Sequence, residues 1–187
     1  VLRKIPMRSS LLRRISFVLL LGLISTVSHA DARVGGTVSI PLASKEPTNL
    51  HGYQLMLNYD PDRYKWRQFN LYFDGGFSRF WTNSAHNSSI NIYSMAPVVR
   101  YNFHREGLVQ PFLEFSIGLS YLNRTRIDSR NQGIHFAFQD RLGIGALLGK
   151  AENFSFGVHA VHYSNAHLSS HNSGITVPLV LDLGYRF

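Results

Sequence analysis

The 187-residue sequence contains no cysteine, which excludes the disulfide-stapled scaffolds on which many small exported proteins rely. It also lacks an apolar run of the roughly 20 residues that a membrane-spanning helix needs. From Val34 onward no segment carries the 3.6-residue apolar spacing of an amphipathic helix, and charged residues make up only 16% of the chain. Aromatic side chains are plentiful, with thirteen Phe, nine Tyr and two Trp. A hydrophobic content of 44% suffices for one sizeable domain without being that of a helical membrane protein.

Five basic residues, Arg3, Lys4, Arg8, Arg13 and Arg14, precede a short apolar core at Ile15–Val27, and Ser28-His29-Ala30 follows it. This order of charge, short greasy core and small residues predicts a secretory signal peptide over residues 1–30 and a mature domain over 31–187. The formal charge of +8 is then largely a property of the export segment, because residues 31–187 hold fourteen basic groups against eleven acidic ones. Charge therefore gives no reason to expect a nucleic-acid partner.

The mature region alternates instead. Segments 34–44, 52–60, 66–81, 89–103, 109–123, 135–148, 154–164 and 175–187 switch character with the period of two that places successive side chains on opposite faces of a strand. Leu113, Phe115, Ile117, Leu119 and Tyr121 oppose Glu114, Ser116, Gly118 and Ser120. Ile175, Val177, Leu179, Leu181, Leu183, Tyr185 and Phe187 share a face by the same count, against Thr176, Pro178, Val180, Asp182, Gly184 and Arg186. Strands of this length cross a bilayer when tilted, aromatics recur near their ends, and the chain closes on the aromatic strand Leu183–Phe187. The fold predicted is all-β: an eight-stranded antiparallel up-and-down transmembrane β-barrel, its interior filled by side chains. With both termini on the inner side, 61–65, 104–108 and 149–153 become short inner turns, and 45–51, 82–88, 124–134 and 165–174 become longer outer loops. Asp74, Glu114, Asp182 and Arg186 fall inward by parity as polar filling.

Within Phe154–Ser164 the lipid-side face reads Phe154, Phe156, Val158, Ala160, His162, Ser164. A histidine and a serine thus end an otherwise greasy face near the outer leaflet, where a serine with a base beside it can act as a nucleophile. On the preceding strand Asp140 is the one charge on the lipid-side face. A symmetric 149–153 turn places it opposite His162, leaving it either to orient that ring or to pair with Arg141. Arg124, Arg126 and Arg130 crowd one outer loop, where they either hold phosphates or solvate the chain. The histidines do not form a metal pattern: His159 faces inward, and the spacing of His167 and His171 suits zinc only on a helix.

At this point the sequence resembles a family, the lipid A 3-O-deacylases of the PagL type. The resemblance is carried by Pro111-Phe112-Leu113-Glu114, by Phe138-Gln139-Asp140-Arg141-Leu142-Gly143-Ile144-Gly145, and above all by His162-Tyr163-Ser164-Asn165-Ala166 with Asn172-Ser173-Gly174. It implies a serine esterase of the Gram-negative outer membrane that removes the acyl chain ester-linked at position 3 of lipid A in lipopolysaccharide, with no cofactor or metal. It implies Ser164 as nucleophile, His162 as general base, and Asn165, Asn172 and backbone N–H groups near Ala166 around the oxyanion. The family's acidic third residue falls on Thr176 counted from the Asn-x-Gly turn, or on Val177 counted from the carboxyl end, and neither is acidic. The histidine is left to be oriented by Thr176, by Asp140 or by water. A non-enzymatic small barrel, an adhesin or a structural protein, and another lipid-acting enzyme, an acyltransferase or a phospholipase, are the alternatives.

Overall fold

The computed structural model describes residues 32–187, and the export segment read over 1–30 lies outside the described residues. Eight long strands follow one another: β1 (Arg33–Ala43), β2 (His51–Asp60), β3 (Phe69–Trp81), β4 (Ser89–Asn102), β5 (Val109–Leu122), β6 (Phe136–Leu148), β7 (Phe154–Ser164) and β8 (Ile175–Arg186). Each pairs antiparallel with its neighbours in sequence, and β1 also pairs with β8, so the sheet closes on itself. Closure satisfies every ladder without leaving an edge, which is the condition for strands to stand in lipid.

The alternation decides what each face meets. On β5, Leu113, Phe115, Ile117, Leu119 and Tyr121 are exposed while Ser116 and Ser120 are buried. Leu55 and Leu57 on β2, Phe73 on β3, Met95 and Val99 on β4, and Phe154 and Phe156 on β7 continue the exposed apolar band around the barrel. A continuous greasy belt of this extent needs lipid to cover it. Aromatic rings line both rims: Phe69, Tyr101 and Phe103, then Phe154, Tyr185 and Phe187, at the end bearing the shorter turns, and Trp81, Tyr53, Phe77, Tyr93 and Tyr121 at the end bearing the longer loops. These are the girdles that amphipathic rings form at membrane interfaces.

The interior is packed in two zones. Nearer the turns, polar groups pair: Arg141 Nη1 donates to Asp74 at 2.6 Å, Arg100 lies 3.0 Å from Glu114, and His159 Nδ1 lies 2.6 Å from Asp182, whose other oxygen accepts from the Ser39 hydroxyl. A cavity of about 40 Å³ beside Arg100, Glu114, Arg141 and Asp182 leaves room for a water or two. Toward the loops the filling turns apolar, with Phe80, Ile90, Ile92, Leu122, Val161, Ile175 and Val177 packed around Tyr163. The Tyr163 hydroxyl accepts from Gln54 at 3.0 Å and from Gln139 at 2.9 Å.

Two elements depart from the period-two reading. Trp66 does not begin the third strand. Arg67 adopts φ +53°, and the chain folds Lys65–Trp66 back onto Asn70 and Phe69 as a small hairpin, lengthening that inner connection to 61–68. The second departure is in β8. His159 pairs with Val180 but Val161 pairs with Val177, so an extra residue is accommodated at Pro178–Leu179. Proline has no N–H to give a ladder, which makes it a natural occupant of such a bulge. The bulge reverses the parity of the strand: Leu179, Leu183 and Tyr185 are exposed as expected, but Ile175 and Val177 are fully buried and Thr176 turns to the outer face.

Candidate active site

Tyr163 is the inward anchor between His162 and Ser164. Fully buried and held by Gln54 and Gln139, it forces both neighbours to the lipid side, because adjacent residues of a strand point to opposite faces. His162 and Ser164 are half-buried there, near the loop end of β7. The register across β6 and β7 pairs Leu148 with Phe154 and Asp140 with His162, as the symmetric turn predicts. On the other side of β7, His162 pairs with Thr176.

The imidazole meets Thr176. His162 Nδ1 lies 2.9 Å from Thr176 Oγ1, and that hydroxyl donates to Glu46 Oε2 at 3.2 Å. Glu46 comes from the 44–50 connection, which adds a one-residue bridge beside β8: Thr176 N–H donates to Glu46 O at 2.7 Å, and the N–H groups of Lys45 and Glu46 both donate to Thr176 O at 3.1 Å. Arg130 Nη2 stands 3.4 Å from the same Glu46 oxygen, and its Nε donates to Gly174 O at 3.0 Å. Among the described residues Asp140 makes no side-chain hydrogen bond or ion pair, since Arg141, its other expected partner, turns inward to Asp74. Asp140 is therefore a charge beside the histidine, while Thr176 contacts the ring.

The 165–174 loop begins with two residues in the left-handed region, Ala166 at φ +51° and His167 at φ +63°. Asn165, expected at the oxyanion, is instead completely buried, and its amide donates to Gln132 O at 2.5 Å and His171 O at 2.8 Å. Its side chain braces the loop. The Asn165 N–H donates to Asn172 Oδ1 at 2.9 Å, an orientation that leaves the Asn172 amide hydrogens for another acceptor. Among the described residues no hydrogen bond takes the Ala166 N–H. Gly174, at φ +68°, lies so close to the imidazole that a Cβ there would come within 2.9 Å of His162 Cε1.

Of the residues singled out in the sequence, His162, Ser164, Thr176 and Asp140 share one patch of the outer face, with Ala166 and Asn172 at its rim. Glu46 and the bracing Gln132 were not legible. A lone acid in a loop and a lone amide in another have no spacing that ties them to a site more than thirty residues away.

The described geometry has close relatives. Residues 51–186 match a family model described as lipid A 3-O-deacylase (PagL). The chain is 35% identical over 127 residues to the lipid A deacylase PagL of Pseudomonas aeruginosa, a stretch covering 66% of this chain and 71% of that protein. Among solved structures it is similar to the crystal structure of the outer membrane enzyme PagL, with a TM-score of 0.71 and 29% identity over 81% of this chain and 98% of that one. Neisserial surface protein A shares the fold, with a TM-score of 0.54 and 15% identity over 83% of this chain and 97% of the other.

Proposed function

The chain belongs to the lipid A 3-O-deacylase (PagL) family, and from that premise we propose how its own residues carry the hydrolysis. It is an outer-membrane ester hydrolase acting on lipid A. Ser164 is the nucleophile and His162 its general base. With Nδ1 held against Thr176, Nε2 is the ring nitrogen left to take the serine proton as Oγ attacks the ester carbonyl. Negative charge then develops on the carbonyl oxygen, where the Ala166 N–H and the Asn172 amide are the donors not otherwise engaged. Collapse expels the sugar hydroxyl, protonated by His162, and leaves the acyl chain on Ser164. Water, deprotonated by the same ring, then releases the fatty acid.

The observation that carries this reading is the His162–Thr176 contact on the lipid-facing side, on the same strand face as Ser164. An ester positioned at the end of an acyl chain reaches that patch without leaving the bilayer. Arg124 and Arg126, exposed on the neighbouring loop, are suited to the phosphates of the glycolipid head, whereas Arg130 is committed to Glu46 and Gly174.

Lipid A mass spectrometry tests the assignment. Expression of the protein in a Gram-negative host removes one 3-hydroxyacyl chain from lipid A, and Ser164→Ala or His162→Ala abolishes that loss while the barrel still inserts. Undiminished deacylation by either variant overturns the residue assignment, and gain of a chain would mark a transferase.

A further inference from the structure

The geometry points to Glu46 as the acid of this site, a positioning residue that acts on His162 through the Thr176 hydroxyl; the inference rests on the Ser164–His162 reading above. Glu46, Thr176, His162 and Asp140 form one row across the sheet, because Glu46 bridges to Thr176, Thr176 pairs with His162 and His162 pairs with Asp140. Directly opposed residues of antiparallel strands present their side chains on the same face about 5 Å apart, the span that a carboxylate, a hydroxyl and an imidazole close by hydrogen bonds.

The chemistry of the hydroxyl gives this row a direction. Thr176 Oγ1 has a single proton, and an ionised carboxylate only accepts. With Glu46 Oε2 at 3.2 Å, the proton goes to Glu46, and the oxygen presents a lone pair to His162 Nδ1 at 2.9 Å. Nδ1 must then carry the ring's hydrogen, and Nε2 is bare, which is the tautomer a base for Ser164 requires. A threonine without the carboxylate is free to rotate and donate to Nδ1, selecting the opposite tautomer. Glu46 therefore removes an ambiguity that Thr176 alone leaves. Its negative charge also lies one hydroxyl, and so two hydrogen bonds, from the imidazolium that forms during attack.

The carboxylate is itself held. Arg130 reaches its Oε2 at 3.4 Å while its Nε is fixed on Gly174 O at 3.0 Å, and three backbone hydrogen bonds tie residues 45 and 46 to Thr176. During turnover protons move only through His162 Nε2: in acylation from Ser164 Oγ to the leaving alkoxide, and in deacylation from water back to Ser164 Oγ. The Nδ1 and Thr176 protons stay where they are, and Glu46 remains ionised. A site lacking an acid beside its histidine in sequence thus recovers one from a loop 130 residues before Thr176, at one hydroxyl's remove.

The test uses the full barrel in detergent micelles with lipopolysaccharide as substrate. Glu46→Gln keeps the backbone bridge and the side-chain shape but not the charge. It lowers kcat at least about tenfold with KM essentially unchanged, and it does so without altering the heat-dependent gel mobility that reports a folded barrel. Thr176→Val has a similar effect, and adding Glu46→Gln to it costs little more, because both lie on one path. Thr176→Glu restores turnover to the Glu46→Gln protein by placing a carboxylate directly on Nδ1. A Glu46→Gln enzyme with undiminished kcat, or one whose loss adds in full to that of Thr176→Val, overturns the relay. Ser164→Ala and His162→Ala are run alongside. If both are inactive, such a result removes the relay alone; if either is active, the site reading falls and the relay with it.

Discussion

His162 on β7 and Thr176 on β8 face each other at 2.9 Å on the lipid side of the barrel because β8 takes up one extra residue at Pro178–Leu179. Without that slip Thr176 would point into the barrel and Val177 would meet lipid. The bulge is placed two residues from the contact it creates, in keeping with the tendency of bulges to re-aim side chains at active sites.

Gly174 packs against the ring with no room for a Cβ. Gly174→Ala places a methyl in a left-handed backbone position and within 2.9 Å of His162 Cε1, so the imidazole has to move. We expect kcat to fall about 10- to 100-fold while the barrel still folds, measured by steady-state deacylation alongside gel mobility.

Asn165 and Asn172 separate by readout. Asn172→Ala removes the oxyanion donor proposed above and lowers kcat by roughly 100- to 1,000-fold. Asn165→Ala instead leaves the carbonyls of Gln132 and His171 without their shared donor, lowering stability by about 1–3 kcal/mol. Urea unfolding of the detergent-solubilised barrel shows the larger midpoint shift for Asn165→Ala, which loses two hydrogen bonds, and a smaller one for Asn172→Ala, which loses the bond from the Asn165 N–H.

Asp140 faces His162 across the β6–β7 register without bonding to it. Asp140→Asn should therefore reduce turnover by no more than about tenfold, the scale of a nearby charge, and leave the fold intact. A loss as deep as that of His162→Ala would make Asp140 the group that orients the ring.

Inside the barrel, the Arg141 guanidinium and the Asp74 carboxylate are 11% and 1% exposed and 2.6 Å apart. Arg141→Ala strands the carboxylate and costs about 3–5 kcal/mol, read as a lowered urea midpoint. Replacing both partners, Arg141→Met with Asp74→Leu, recovers most of that loss, since no buried charge then lacks a partner.

Much of this molecule is legible before folding. Alternation on β2, β3, β5 and β7 places Leu57, Phe73, Ile117 and Phe156 outside and Asp74, Ser116 and His159 inside, because the side-chain period of an extended strand is a local property. The β6–β7 register follows from a short turn whose symmetry sets Leu148 against Phe154. The same pattern shows His162 and Ser164 on one greasy face, and their motif points to the chemistry.

Three features escape that reading, the first a local turn and the other two products of the closed barrel. Trp66 reads as the start of a strand, and only the left-handed Arg67 turns it back on Phe69. Asn165 reads as a polar residue of the site, and only the packing of the 123–135 connection against its loop supplies the Gln132 carbonyl that joins His171 O in claiming its amide. Thr176 reads as inward, and Glu46 as a loop acid without a role. Alternation and short-turn register are written in neighbouring residues, so the sequence carries them unaided. A bulge, or a contact between residues 46 and 176, depends on which strands end up side by side when the sheet closes, and no local preference encodes that.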